Sequence, residues 1–212
     1  MPATPDPKAD RIDPSCLPMP RPLLLITGFG PFEGVLENPS GRLVTDLLER
    51  PPGDFDVVGE VLPVSFGRAP ARLGELLAEL APRVPDLAVS TGMHRQPGFR
   101  VELLARRRLV NAERVDVDGV VAAAADPEGV SAQGVLETSL AARLPELLED
   151  LPGWRLSRDA GGYVCERVYR TLLEWGAAAE RPALFVHVPQ YEFRGPEAQR
   201  EETLRFLRPL LG

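Results

Sequence analysis

Apolar positions along the chain change their period several times, and each change marks an element. Leu23-Leu24-Leu25-Ile26-Thr27 is an unbroken apolar run closed by Gly28, the pattern of a short strand buried on both faces. A loop follows, Gly28-Phe29-Gly30-Pro31-Phe32-Glu33-Gly34. Asn38-Pro39-Ser40 then opens a helix. Asn38 is the N-cap, Pro39 suits the first helical position, and Leu43, Val44, Leu47 and Leu48 repeat at helical spacing behind them. Residues 57–64 read as a second strand, and 71–80 as a helix with Leu73, Leu76, Leu77 and Leu80 on one face. Residues 86–90 form a third strand ending at Thr91-Gly92, and 99–110 read as extended because Val101, Leu103 and the arginines roughly alternate. Residues 111–134, rich in Asp, Gly and Ala, form a long excursion. Helices are expected over 137–148, 163–179 and 197–210, with strands at 154–157 and 183–188.

Strands and helices therefore alternate. That order predicts the α/β class: a three-layer α/β/α sandwich with a mostly parallel mixed sheet, in a single domain over 21–212. Residues 1–20 carry six prolines and no apolar period, and read as a disordered or extended leader.

Composition narrows the function. The net charge is -7, from 24 basic and 31 acidic residues. An acidic surface repels phosphate backbones and anionic headgroups, which argues against nucleic acid and membrane as partners. No apolar run approaches the ~20 residues that span a bilayer, and the first residues lack the apolar core of a secretory signal. A cytoplasmic protein is expected. Two cysteines, Cys16 and Cys165, make no disulfide framework, and two histidines, His94 and His187, are too few for most His-based zinc sites. Asp116 and Asp118 have metal-like spacing but lack a third calcium-loop ligand. No metal and no cofactor are expected.

Sites in such sheets gather where strands hand over to helices. Gly28-Phe29-Gly30 looks briefly like a dinucleotide fingerprint, but Glu33 would repel a pyrophosphate and Pro31 removes a donor. Phe29 and Phe32 are then either core plugs or the walls of an apolar pocket. Cys165 follows Asp159-Ala160-Gly161-Gly162-Tyr163-Val164, a tight strand-to-helix turn. A cysteine in a first helical turn feels the positive end of the helix dipole, which favours the thiolate, and the free N–H groups there suit an oxyanion. A lone cysteine is as readily an inert core residue. His187 ends an apolar strand, where a satisfied core histidine is also common. The chain distance joins the two: between 165 and 187 there is room for one helix and one return strand, which brings both to one sheet edge. Glu102 lies between apolar residues on a strand-like segment and could orient the imidazole, or could be a surface carboxylate. Arg106-Arg107-Arg108 reads as a solvated charge run and His94 as loop surface.

Together these segments resemble the pyroglutamyl peptidase I family, also called pyrrolidone-carboxylate peptidases. The resemblance rests on Thr27 to Gly34 with Asn38-Pro39, on Val61-Leu62-Pro63-Val64-Ser65-Phe66, on Ala160-Gly161-Gly162-Tyr163-Val164-Cys165, and on Phe185-Val186-His187-Val188-Pro189. It runs from about Leu23 to the C-terminus. It implies a cofactor-free cysteine peptidase that removes an N-terminal pyroglutamyl residue from peptides through a thioester, with N-terminally pyroglutamylated peptides as partners and a homo-oligomeric assembly. It also implies Cys165 as nucleophile, His187 as base and Glu102 as orienting acid. Phe29, Phe32, Met93, Val164 and Asn38 would contact the lactam, and Arg114 would support the oxyanion.

The chain departs from the family pattern in places. Met93-His94-Arg95-Gln96-Pro97-Gly98 replaces a Gly-Arg-containing stretch, so aligning Glu102 takes a one-residue deletion. Glu166 stands where the family has Asn, Arg114 is offset by one, and the middle excursion is shortened. The altered loop motivates the alternative, a non-catalytic or altered-specificity relative that binds pyroglutamate or a similar lactam. A nucleoside phosphorylase-like transferase shares such sheets but would need a phosphate site, which the first loop argues against.

Overall fold

The computed structural model describes residues 20–107, 113–122 and 134–212. The expected leader, Arg108 and much of the middle excursion lie outside the described residues. The elements run β1 (Leu23–Phe29), α1 (Pro39–Glu49), β2 (Asp56–Leu62), α2 (Arg68–Glu79), β3 (Leu87–His94), β4 (Phe99–Glu102), β5 (Leu104–Arg106), β6 (Val135–Glu137), α3 (Leu144–Glu149), β7 (Trp154–Ser157), α4 (Val164–Ala179), β8 (Ala183–Pro189) and α5 (Pro196–Leu211).

Six strands form one sheet in the order β2-β1-β3-β8-β4-β7. The first four are parallel, β4 runs antiparallel to β8, and β7 is parallel to β4. The sheet is thus mixed and mostly parallel, as expected. β1 is buried throughout because both its faces are covered. Leu24 and Ile26 meet Leu43, Val44 and Leu47 of α1 and Leu204 and Phe206 of α5. Leu25 and Phe29 face the other way, into a cluster with Leu73 and Leu76 of α2 and Val168, Tyr169 and Leu172 of α4. Two apolar clusters on opposite faces of one sheet make three layers.

Three expectations are corrected. Of the helix expected over 137–148, Glu137 ends the strand β6, residues 139–143 form turns, and the helix begins only at Leu144. Pro145 explains the late start. In the interior of a longer helix its ring would press on the carbonyl four residues back and a hydrogen bond would be lost, whereas in the first turn it costs nothing. Of the stretch expected to be extended over 99–110, Phe99–Glu102 and Leu104–Arg106 are two strands in two sheets, and 108–110 lie outside the described residues. Leu103 N–H donates to Ser157 of β7 at 2.8 Å, while its carbonyl accepts from Thr138 N–H at 3.0 Å beside β6. The chain therefore changes partners at that residue. Finally, β3 continues past Gly92 to His94.

The end of β1 and the start of α1 lie backbone on backbone. A Cβ on Gly28 would stand 2.3 Å from the Ser40 carbonyl oxygen, and one on Gly41 would stand 2.4 Å from the Phe29 carbonyl oxygen. Asn38 holds this corner as expected of an N-cap. Its Oδ1 accepts from Ser40 N–H at 3.2 Å and Oγ–H at 2.9 Å, and its Nδ2 donates to the Gly30 carbonyl at 3.0 Å. Ser40 Oγ in turn accepts from Phe29 N–H at 3.1 Å. This corner sets where the Phe29–Phe32 loop stands. Gly41→Ala is expected to force strand and helix apart, costing about 2 kcal/mol, or a thermal midpoint lower by about 5 °C. A calorimetric midpoint within a degree of the parent would refute the close contact.

Candidate active site

The turn before α4 needs two residues at positive φ, and Gly161 (96°) and Gly162 (61°) supply them without a Cβ penalty. Tyr163 is then the N-cap in extended conformation, and Cys165 is the second residue of the helix. The first intrahelical bond is Arg167 N–H to Tyr163 carbonyl, so the N–H groups of Val164, Cys165 and Glu166 have no partner within the helix. Glu166 braces the turn from below. It is fully buried; one carboxylate oxygen accepts from Gly162 N–H at 2.9 Å and the other from Arg106 N–H of β5. Burial raises its pKa, and the two backbone donors work against that rise.

His187 lies near the end of β8; its ring hydrogen-bonds Glu102 on one side, and Cys165 stands near enough to raise its pKa. The Glu102 contact is Nδ1 to Oε1 at 2.8 Å, which leaves Nε2 for the thiol. Glu102 is fully buried rather than on the surface. Its second oxygen accepts from Asp159 N–H at 3.2 Å, and Tyr169 OH donates to its carbonyl at 2.7 Å. Burial alone would pull the His187 pKa down. Cys165 and Glu102 outweigh it and push the value up to about 9. Cys165 sulfur rests against β3, since a Cβ on Gly92 would lie 3.1 Å from Sγ.

A cavity of about 590 Å³ opens over Cys165 and His187. Phe29 and Phe32 line it, and Phe29 is also part of the core, so the two readings of that residue hold together. Met93, Asn38 and Arg114 line it as well. The Asn38 polar atoms are already engaged in the corner described above, with one amide hydrogen to spare. The Arg114 guanidinium lies over the Tyr163 ring at 4.4 Å, and Tyr163 OH donates to the Val115 carbonyl at 2.7 Å. Val164 is different: its side chain is fully buried in the core and does not face the cavity. It begins α4, and its side chain turns inward, as does that of Glu166 on the other side of Cys165.

The sequence reading missed several cavity residues. His94 is not loop surface but the half-buried end of β3, its ring centroid 6.1 Å from that of His187. Its Nε2–H donates to the Gly98 carbonyl at 2.8 Å and its Nδ1 accepts from Gln96 N–H at 3.3 Å. Burial, helped by Arg100 and His187, lowers its pKa to about 4, so it stays neutral. The Gly98 carbonyl that holds it is four residues along the chain, immediately before β4, so the loop closes back on the histidine. Tyr163, Arg100 and Asp159 also line the cavity. Asp116 is a loop clamp, accepting from the N–H groups of Phe66, Asp118 and Val120, and Asp118 pairs with Arg68. Among the described residues no group of three or more His, Cys, Asp or Glu could hold a metal. No helix among them is long and apolar enough to cross a membrane.

Comparison with known proteins gives the same picture from another side. The chain is 32% identical over 180 residues to the pyrrolidone-carboxylate peptidase of Pyrococcus furiosus, covering 78% of this chain and 80% of that one. It is 29% identical to the enzyme of that name from Erwinia tasmaniensis, covering 78% and 77%. A solved variant of the P. furiosus pyrrolidone carboxyl peptidase superposes with a TM-score of 0.76 at 26% identity, covering 89% of this chain and 98% of that one. The family model described as pyroglutamyl peptidase matches residues 23–194, and the chain belongs to that family.

Proposed function

We propose that this protein removes an N-terminal pyroglutamyl residue from peptides by covalent cysteine catalysis. One observation carries the reading: a histidine bonded to a buried glutamate shares a cavity walled by two phenylalanines with a cysteine on a helix N-terminus. A lactam ring is flat and neutral, and aromatic faces with a few polar groups suit it. A free N-terminal ammonium in the same place would be desolvated without a partner.

The steps follow from the contacts. His187 takes the Cys165 proton, and the thiolate attacks the pyroglutamyl carbonyl carbon. Negative charge gathers on the carbonyl oxygen, where the unpartnered N–H groups of the first turn of α4 and the Arg114 guanidinium supply positive charge. The C–N bond breaks as imidazolium gives its proton to the leaving amine, and a thioester remains. Neutral His187 then takes a proton from water as it attacks, releasing pyroglutamate and restoring the thiol. Glu102 accepts from Nδ1–H throughout, keeping Nε2 toward sulfur and substrate and stabilising the imidazolium. The grouping of Cys165, His187 and Glu102 lends no support to the non-catalytic alternative. A reducing, cytoplasmic site of action and assembly with further copies of the chain belong to the same proposal; the free thiol of Cys165 suits the first.

Release of a fluorescent amine from a pyroglutamyl arylamide tests this reading. Cys165→Ser is expected to lower kcat by about 10³-fold or more; parent-like turnover would remove Cys165 from the chemistry. Phe32→Ala is expected to raise KM about tenfold, the worth of one lost aromatic face, and an unchanged KM would take it out of the lactam site. The raised His187 pKa sets two pH limits. Activity needs imidazolium as proton donor, so kcat/KM is expected to fall as pH rises through about 9. The same group stabilises the fold. Its folded pKa lies above the unfolded value near 6.5, so its contribution is complete below that pH and fades as pH rises through about 9. The gap in thermal midpoint between the parent and His187→Gln is therefore expected to shrink between pH 6 and 10, and a constant gap would contradict it.

A further inference from the structure

Sheet order decides what flanks the nucleophile. Phe29 ends β1, Gly92 and Met93 sit on β3, His187 lies on β8, Arg100 lies opposite His187 on β4, and Arg155 lies opposite Arg100 on β7. Residues aligned on neighbouring strands point to the same face. The face that carries the Phe29 wall therefore carries Arg100 beyond the histidine, and Arg100 lines the cavity. His187 gives its proton to the leaving amine, so that amine lies against His187. The peptide behind it then runs on toward β4.

The charges waiting there are unbalanced. Arg100 and Arg155 both donate to one oxygen, Gln96 Oε1, the latter at 2.9 Å. Arg100 Nε is buried without a partner, and neither guanidinium has a carboxylate within ion-pair distance among the described residues. The nearby acids are taken: Asp159 pairs with Arg106 at 2.8 Å and Glu102 with His187. His94, between them, stays neutral. Two guanidiniums in a chain of net charge -7 thus share a single amide oxygen. That oxygen belongs to an exposed residue of the altered loop, and it occupies the position a carboxylate oxygen would take with better charge complementarity.

We propose that Arg100, in the wall of the cleft, and Arg155, outside that wall and joined to it through Gln96, form a carboxylate subsite at the leaving-peptide edge of the cleft, which Gln96 fills in the free protein and a substrate carboxylate takes over. The inference rests on the proposed hydrolase function and specifies its substrates: pyroglutamyl peptides with a carboxylate just beyond the scissile bond. That carboxylate is supplied by an Asp or Glu side chain or by the C-terminus of a dipeptide.

The test compares kcat/KM for pyroglutamate release within each enzyme form. Pyroglutamyl-glutamate amide is expected to be cleaved about fivefold better than the isosteric glutamine amide, the worth of a half-exposed charge contact, with the lysine amide poorest. Arg100→Gln should bring the glutamate-to-glutamine ratio near one, and Arg155→Gln, at an exposed position, should lower it part way. Pyroglutamyl-alanine against its own amide tells the sources apart: a preference there without one for glutamate places the recognised carboxylate at the C-terminus. Efficient cleavage of every amide with all ratios within twofold, or a ratio that survives Arg100→Gln, overturns the subsite and leaves the hydrolase reading standing. No cleavage of any pyroglutamyl amide would overturn both.

Discussion

A fully buried carboxylate is costly unless each of its oxygens finds a donor and its charge finds a partner. Glu102 meets that demand with the His187 ring on one oxygen and the Asp159 N–H on the other. Both donors matter to the site. The first fixes the His187 ring, and the second begins the turn that leads to Cys165. One acid thus ties β4, β8 and the entry to α4 into one geometry. Its location depends on the antiparallel insertion of β4 beside β8 and on the chain leaving that sheet one residue later, at Leu103.

Other buried polar groups around the cavity follow the same rule. Asn38 spends its amide on the Phe29–Phe32 loop, Glu166 on the glycine turn and β5, and Asp116 on the loop leading to α2. Each satisfies backbone donors or acceptors that would otherwise be stranded where strands give way to loops. The effect is to hold loops as firmly as strands, which is what attack geometry at a small rigid ring requires. Glu166 shows how a family departure is absorbed. With acceptors on both oxygens it receives two N–H groups, a pattern the amide of asparagine would match on one side only.

Local signals were sufficient where the physics is local. The N-cap at Asn38, the proline after it, the paired glycines before α4 and the fully apolar β1 are each decided within a few residues, and each appears where the sequence places it. Failures came where a distant partner decides. The helix expected over 137–148 lost its first residue to pairing with β5, while Pro145, a local signal passed over, set the later start. His94 read as surface because the extension of β3 that half-buries it comes from pairing with Pro189 of β8, nearly a hundred residues on.

Sequence alone determined the layer architecture and the family, and it singled out Cys165 and His187, because their scarcity and the one-helix interval between them leave few other arrangements. Tertiary structure decided the status of Glu102, whose flanking apolar residues suit a buried acid or a surface strand equally until β8 is laid beside it. It also decided that Val164 faces inward, and that Arg100 and Arg155 meet over Gln96. Charges on separate strands become neighbours only through sheet order, and no period along one strand encodes which strand will lie beside it.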